Sequence, residues 1–265
     1  MKLAIISIHL NNYQGFRSTY SSLNALFNSN IPFKWIIKDG GSDSNVLAQI
    51  KQELKKYNED IILISEKDNG VYDAMNRAME WIAPNEMVLF LNCGDQLSSE
   101  FISRISMTDL DSFDFIYSDT LLKDSTQKFV APENIDFAYL VGKTINHQSF
   151  MIRSDILKKY SFNTDYSIVA DWVQLMEIFR NEKLKIKKLN FPISIYEGGG
   201  ISEQQDDLRI MQRATYLKAV YSEWELESII KISRMRQRPW YDFIIDATDS
   251  PKRSWILKQL SHIWR

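Results

Sequence analysis

An alternation of short apolar runs with helix-spaced apolar residues, carried from Leu3 to Leu91, constrains this chain more than any other feature. Leu3–Ile8, Lys34–Lys38, Ile61–Ile64 and Met87–Leu91 read as strands. Between them, Phe16, Tyr20, Leu23 and Phe27 recur at the spacing of one helix face. Val46, Leu47, Ile50, Leu54 and Tyr57 do the same, as do Ala74, Met75, Ala78, Met79 and Ile82. Apolar strands separated by single helices predict an α/β fold with a mostly parallel central sheet flanked by helices. Ligands of such sheets gather beyond the carboxyl ends of the strands. The acids that follow strands two, three and four (Asp39, Asp68 with Asp73, and Asp95) are therefore expected to converge on one crevice.

From about residue 110 the alternation weakens. Phe113–Tyr117 and Ser149–Ile152 read as strands and Ala170–Arg180 as a helix. Lys185–Ile195 reads as a strand broken by Pro192, followed by a glycine loop at Gly198-Gly199-Gly200 and a helix from Glu203 to about Tyr221. The expected organisation is one domain over residues 1–222, its nucleotide-binding half at about 1–110 and its acceptor half at about 111–222. A basic amphipathic helical tail over 223–265 is the appendage. From Lys231 to Arg265 there are eight Lys or Arg against three Asp. Ser250-Pro251 is a helix start, after which Ile256, Leu257, Leu260, Ile263 and Trp264 share a face flanked by Lys252, Arg253, Lys258 and Arg265. Such a helix suits either an anionic membrane surface or docking on the domain.

With 265 residues the chain can bury a full core, and its net charge of -2 implies no attraction to nucleic acid. A single cysteine, Cys93, excludes an internal disulfide and fits a reducing compartment. Met1–Ser7 is too short for a signal peptide and reads as a strand. No stretch approaches the roughly 18 apolar residues of a membrane span, so a cytoplasmic location is expected.

Three segments carry chemistry. In Asp39-Gly40-Gly41-Ser42-Asp43, paired glycines allow a sharp turn and close approach of a ligand to the backbone. The same residues also make an ordinary strand-to-helix turn with a capping Asp43 or Ser44. In Leu91-Asn92-Cys93-Gly94-Asp95, the carboxylate is placed to bind Mg²⁺ or Mn²⁺. Ser65 to Ala78 combines a polar loop with a helix whose outward residues are Asp73, Asn76 and Arg77, polar groups that packing alone does not require.

These segments, with Ser7-Ile8-His9-Leu10-Asn11-Asn12 before them and Asn146-His147-Gln148-Ser149, Ala170-Asp171-Trp172 and Gly199-Gly200-Ile201-Ser202 after them, occur in the order found in the inverting, family 2 glycosyltransferases of GT-A fold. The chain resembles particularly the bacterial group that builds O-antigens, capsules and colanic acid. The resemblance covers roughly residues 1 to 215. It implies that Asp39 accepts from the uracil of a UDP-sugar beside backbone groups near Ser7 to His9 and at Gly40. Asp68 and Asp73, with Asn76, would hold the nucleotide or donor sugar. Asp95 would coordinate Mn²⁺ or Mg²⁺ on the diphosphate, beside Asn92 and Gly94. Asp171 would be the catalytic base, and His147 and Gln148 would line the acceptor side. The acceptor implied is a polyprenyl-diphosphate-linked saccharide at the inner face of the membrane. Where the family commonly carries further acids, this chain has Asn92 and Gly94, which leaves Asp95 as the one sure metal carboxylate.

Two other enzyme classes lack their signatures. His9-Leu10-Asn11-Asn12-Tyr13 is neither the glycine-rich basic loop of a sugar nucleotidyltransferase nor the Gly-x-Gly-x-x-Gly turn of a dinucleotide oxidoreductase. A non-catalytic nucleotide-sugar-binding subunit remains the alternative.

Overall fold

The computed structural model describes residues 2–55, 61–200 and 205–236. Its first part follows the alternation read from sequence: β1 (Lys2–His9), α1 (Tyr13–Phe27), β2 (Phe33–Asp39), α2 (Ser44–Leu54), β3 (Ile61–Ser65), α3 (Val71–Met79) and β4 (Glu86–Phe90). Asn12 caps α1 by accepting from the Gly15 amide at 2.8 Å. The apolar face of α1 meets β2, where Phe16 stacks on Trp35 with ring centroids 5.7 Å apart. Ile5, Phe16, Leu23 and Trp35 are all fully buried, each contributing roughly 1.5–3 kcal/mol by leaving water.

The later strands are shorter: β5 (Gln96–Leu97), β6 (Phe115–Tyr117), β7 (Thr120–Leu122), β8 (Lys128–Phe129), β9 (Phe150–Arg153), β10 (Ile186–Lys188) and β11 (Ser194–Tyr196). Among them lie α4 (Ser99–Arg104), α5 (Phe137–Gly142), α6 (Ser154–Leu157) and α7 (Ala170–Asn181), and after them α8 (Asp206–Val220) and α9 (Glu223–Arg236). The main sheet has seven strands in the order β10-β6-β9-β4-β1-β2-β3. Every pairing in it is parallel except the two made by β9, which runs antiparallel to both β4 and β6. Four strands, β5-β11-β7-β8, form a smaller second sheet.

The run Lys185–Ile195, expected as one interrupted strand, is two strands in different sheets. β10 pairs with β6 in the main sheet and β11 with β5 and β7 in the other. Pro192 lies between them, where a missing N–H costs no ladder bond.

The chain divides into two compact units. The first comprises Met1–Asn134 and Ile145–Arg213, and contains both sheets. The second comprises Ile135–Thr144 and Ala214–Arg265. Within it α5 packs on α9, and α9 leaves Trp224, Ile232 and Met235 exposed. The expected helix after Ser250 lies outside the described residues, as do Ile201 and Ser202 of the last motif. No described helix is long and apolar enough to cross a membrane.

Candidate active site

The carboxyl ends of β1, β2 and β3 meet at Asp39, which is fully buried. Its Oδ1 accepts from His9 Nδ1 at 2.8 Å and from Ser42 Oγ at 2.5 Å. Its Oδ2 accepts from the amides of Gly41 and Ser42 and from Ser65 Oγ, at 3.2, 3.0 and 2.7 Å. Burial alone would raise this carboxyl, but the bonds from Ser42, His9 and Ser65 outweigh it and hold the pKa down at about 2. His9 completes the knot by accepting the Asn12 amide on Nε2 at 3.2 Å. Five donors leave Asp39 without an open lone pair, so it organises the loop after β2. Ser7, likewise buried, is used inside the fold: it donates to Leu91 O and accepts from Trp35 Nε1.

Lys38 lies beside Asp39 on β2 with no exposed surface. Its ammonium donates to Asp39 O, Glu66 O and Asp68 Oδ2 at 2.9, 2.7 and 3.1 Å, tying the β2 turn to the β3–α3 loop. Asp68 also accepts the Gly70 amide. Gly40 is required by this closeness, because a Cβ there would come within 2.8 Å of Asp68 Oδ2. Asp73, in the first turn of α3, accepts from the Asn69 amide and pairs with Arg77. The Asn69 bond is the largest cause of its lowered pKa. Asn76 faces elsewhere: its amide clamps the backbone of Phe162, donating to the carbonyl and accepting from the N–H, both at 2.8 Å.

Beyond β4, Thr19 of α1 pins the Asn92–Asp95 loop by donating to Asp95 O and accepting from the Gly94 amide. Gly94 has φ +120°, and a Cβ there would stand 2.1 Å from Glu197 Oε2. The Asp95 carboxyl is 6 % exposed and accepts the Glu197 amide on Oδ1 at 3.0 Å. Burial is the main cause that raises its pKa to about 6. Burial, then the charges of Asp95 and Asp39, also push the Cys93 thiol up, so Cys93 is an inert thiol. Asn92 Oδ1 is buried and has no hydrogen-bond partner among the described residues. A buried carboxyl with one amide donor, in the same loop as an orphaned amide oxygen, is a hard-oxygen donor set that suits Mg²⁺ or Mn²⁺. Among the described residues no group of three His, Cys, Asp or Glu side chains could hold a metal ion. The set therefore fits a cation only when phosphate oxygens supply most of the shell.

Asp171 opens α7, whose dipole favours its negative charge. Its Oδ1 accepts from the Trp172 amide at 2.8 Å and from Tyr72 Oη at 3.0 Å. Its Oδ2 lies 3.8 Å from His147 Nδ1. Burial works to raise the carboxyl, but His147, the Trp172 amide and Tyr72 together lower it. The Tyr72 hydroxyl is raised by burial and then by Asp171. Asn92 Nδ2 stands 3.1 Å from His147 Nε2, and Gln148 beside it is buried. Arg213 caps the cluster by stacking over the Trp172 ring at 4.8 Å.

Three links run among these groups. Lys38 joins Asp39 to Asp68, Tyr72 joins α3 to Asp171, and His147 joins Asp171 to Asn92. No sequence motif marks a role for Lys38, Tyr72, Glu197 or Arg213. Lys38 carried a signal, a lysine directly after the apolar run Trp35-Ile36-Ile37 and directly before Asp39. The others are ordinary surface types in sequence. A cavity of ≈ 460 Å³ lies apart from these residues, lined by Asp119, Lys128, Lys188 and Phe191 among others.

By fold the chain is a GT-A-type α/β protein. It superposes on residues 1–349 of TarS from S. aureus with a TM-score of 0.63 and 16% identity, over 89% of this chain and 71% of that one. It superposes on the mannosyltransferase PcManGT from Pyrobaculum calidifontis, in complex with GDP-Man and Mn²⁺, with a TM-score of 0.60 and 10% identity, over 98% and 79%. TarS 1–349 has also been solved in complex with UDP-GlcNAc. In sequence the chain is 26% identical over 186 residues to a PGL/p-HBAD biosynthesis glycosyltransferase of Mycobacterium bovis, covering 68% of this chain and 72% of the relative. No protein-family profile matches. The resemblance to GT-A glycosyltransferases read from the motifs is borne out by both fold and sequence relatives.

Proposed function

We propose that the chain is an inverting glycosyltransferase that moves a hexose from a UDP-sugar to a lipid-linked saccharide in the synthesis of a bacterial surface polysaccharide such as an O-antigen. The observation that carries the reading is the Asp171 carboxylate. It is lowered in pKa, 22 % exposed and hydrogen-bonded on one oxygen only, at the rim where the donor-side residues lie. The glycosyltransferase relatives and the TarS complex with UDP-GlcNAc support the donor class.

In this reading the Asp39 knot and Lys38 hold the β2 and β3 loops in shape for the nucleotide, through Ser42, Gly41 and backbone groups. Asp68 and Asp73 edge the donor sugar. Asp95 and Asn92 Oδ1 would hold Mn²⁺ or Mg²⁺, which would supply charge neutralisation at the leaving diphosphate; the PcManGT complex with Mn²⁺ supports the use of a divalent metal. Asp171 Oδ2 takes the proton of the acceptor hydroxyl as that oxygen attacks the anomeric carbon from the face opposite the leaving group. One displacement inverts the anomeric configuration.

A panel of UDP-sugars with Mn²⁺, read by release of UDP through hydrolysis or transfer, tests the proposal. Turnover of at least one donor, lost in both D95A and D171N, is the expected result. Tight UDP binding with no turnover of any donor would instead favour the binding subunit. The basic tail, with the exposed Trp224, Ile232 and Met235 of α9, supports attachment to the cytoplasmic face of the inner membrane. Unchanged binding to anionic liposomes after deletion of residues 250–265 would remove that role from the tail.

A further inference from the structure

We propose that His147 Nδ1 and Asp171 Oδ2 together seat a single acceptor hydroxyl, and that the Asn92 amide fixes the imidazole tautomer that makes His147 the donor of the pair. The inference rests on Asp171 being the general base and extends that reading to the groups that position the acceptor hydroxyl.

A count of hydrogens carries it. Asp171 Oδ1 already has two donors, Trp172 N–H and Tyr72 O–H. Among the described residues, Oδ2 has only His147 Nδ1 before it, at 3.8 Å, too far for a hydrogen bond. One oxygen atom placed beside both, about 2.8 Å from each, closes the gap with two normal bonds. The direction of those bonds follows from Asn92. Its Nδ2 is 3.1 Å from His147 Nε2, and an amide NH₂ can only donate. Nε2 therefore holds its lone pair, and in the neutral ring the proton is on Nδ1. Turning the Asn92 amide over would demand the opposite tautomer and set the Nδ1 lone pair against a carboxylate oxygen, two acceptors facing each other.

The gap thus offers one acceptor and one donor, the complement of an alcohol. An ammonium group has no lone pair for Nδ1–H, and a thiol is a weak partner for either. As reaction proceeds, the hydroxyl O–H bond breaks and its proton passes to Asp171 Oδ2. The oxygen bonds to the anomeric carbon, and the electron pair of the broken carbon–oxygen bond leaves with UDP. His147 keeps its proton throughout and directs one lone pair away, so the other faces the sugar. Tyr72, Asp95 and Arg213 are the other ionisable groups that act on this pair. Toward this hydroxyl the Asn92 Nδ2 group acts through His147 and is a positioning group, separate from the Oδ1 atom assigned to the cation.

The tautomer is read directly by ¹⁵N-histidine NMR on the full chain at about pH 8.5, above the ordinary histidine range. The chain has 3 histidines, so H9N and H262N spectra assign the His147 signals. The expected wild-type signal is Nδ1–H, with Nε2–H appearing in N92D, whose carboxylate accepts instead of donating, and Nδ1–H kept in N92L, where the Asp171 carboxylate alone faces the ring. An Nε2–H wild type, or no change in N92D, overturns the proposal. In turnover, H147A is expected to lose about 100-fold with UDP affinity unchanged, and H147Q, which keeps an N–H donor, to recover most of it. H147A at wild-type turnover would also overturn the seat. D171N at wild-type turnover with the Nδ1–H signal intact would overturn the base assignment instead, so the two failures are distinguishable.

Discussion

At the scale of single residues, two carboxyls of one rim are treated oppositely. Asp39 accepts five hydrogen bonds and titrates at about 2 against an ordinary 3.8. Because its folded value is depressed, the stability it contributes is present above about pH 4 and is lost as pH falls towards 2. That contribution is about 2 kcal/mol at neutral pH. D39N should therefore unfold in less urea at pH 7, and the gap from wild type should narrow at pH 3. Asp95 is the reverse, raised from 3.8 to about 6. Its favourable state is the protonated one, fully present below about pH 4 and lost as pH rises through 6. In metal-free protein D95N should accordingly be more stable than wild type at pH 8, by about 1–3 kcal/mol, while losing turnover. A D95N melting no higher than wild type at pH 8 would show that other groups already compensate the charge.

At the scale of elements, β1 to β4 and α1 to α3 were legible because each is long enough to show its period, and the acids after β2, β3 and β4 stood out for the same reason. The later half was less so. β5, β8 and β10 have two or three residues each, too few for any alternation, and nothing in Phe150–Arg153 marks β9 as antiparallel. Nor does sequence reveal that Asp39 is saturated or that Asn76 clamps Phe162, since the partners are far along the chain. Lys38 was visible but unexplained until its three acceptors, two of them beyond β3, came together. K38M would leave Asp68 and two loop carbonyls without their cation, a loss of about 3 kcal/mol by the rule for broken buried pairs. The urea midpoint should fall and UDP affinity should drop at least tenfold; retention of full UDP affinity would separate Lys38 from the donor loops.

At the scale of the whole molecule, the sparse cation set makes a linkage prediction. Asp95 and Asn92 supply too few oxygens for a resident metal, so Mn²⁺ and UDP should each stabilise the protein little alone and strongly together. A melting-temperature matrix checks this: a shift with both that exceeds the sum of the separate shifts is expected, and simple additivity would argue for separate sites.

The reversed direction of β9 has its own consequence. A strand that runs against its neighbours begins where they finish, so the segment just upstream of β9 reaches the same edge that β4 reaches with its downstream residues. Two stretches of chain 55 positions apart therefore share one boundary without either having to turn back. Under the proposed function, changes to the segment before β9 would remodel what is received there while the strands proposed to hold the nucleotide stay untouched, so one scaffold could change its recipient and keep its currency.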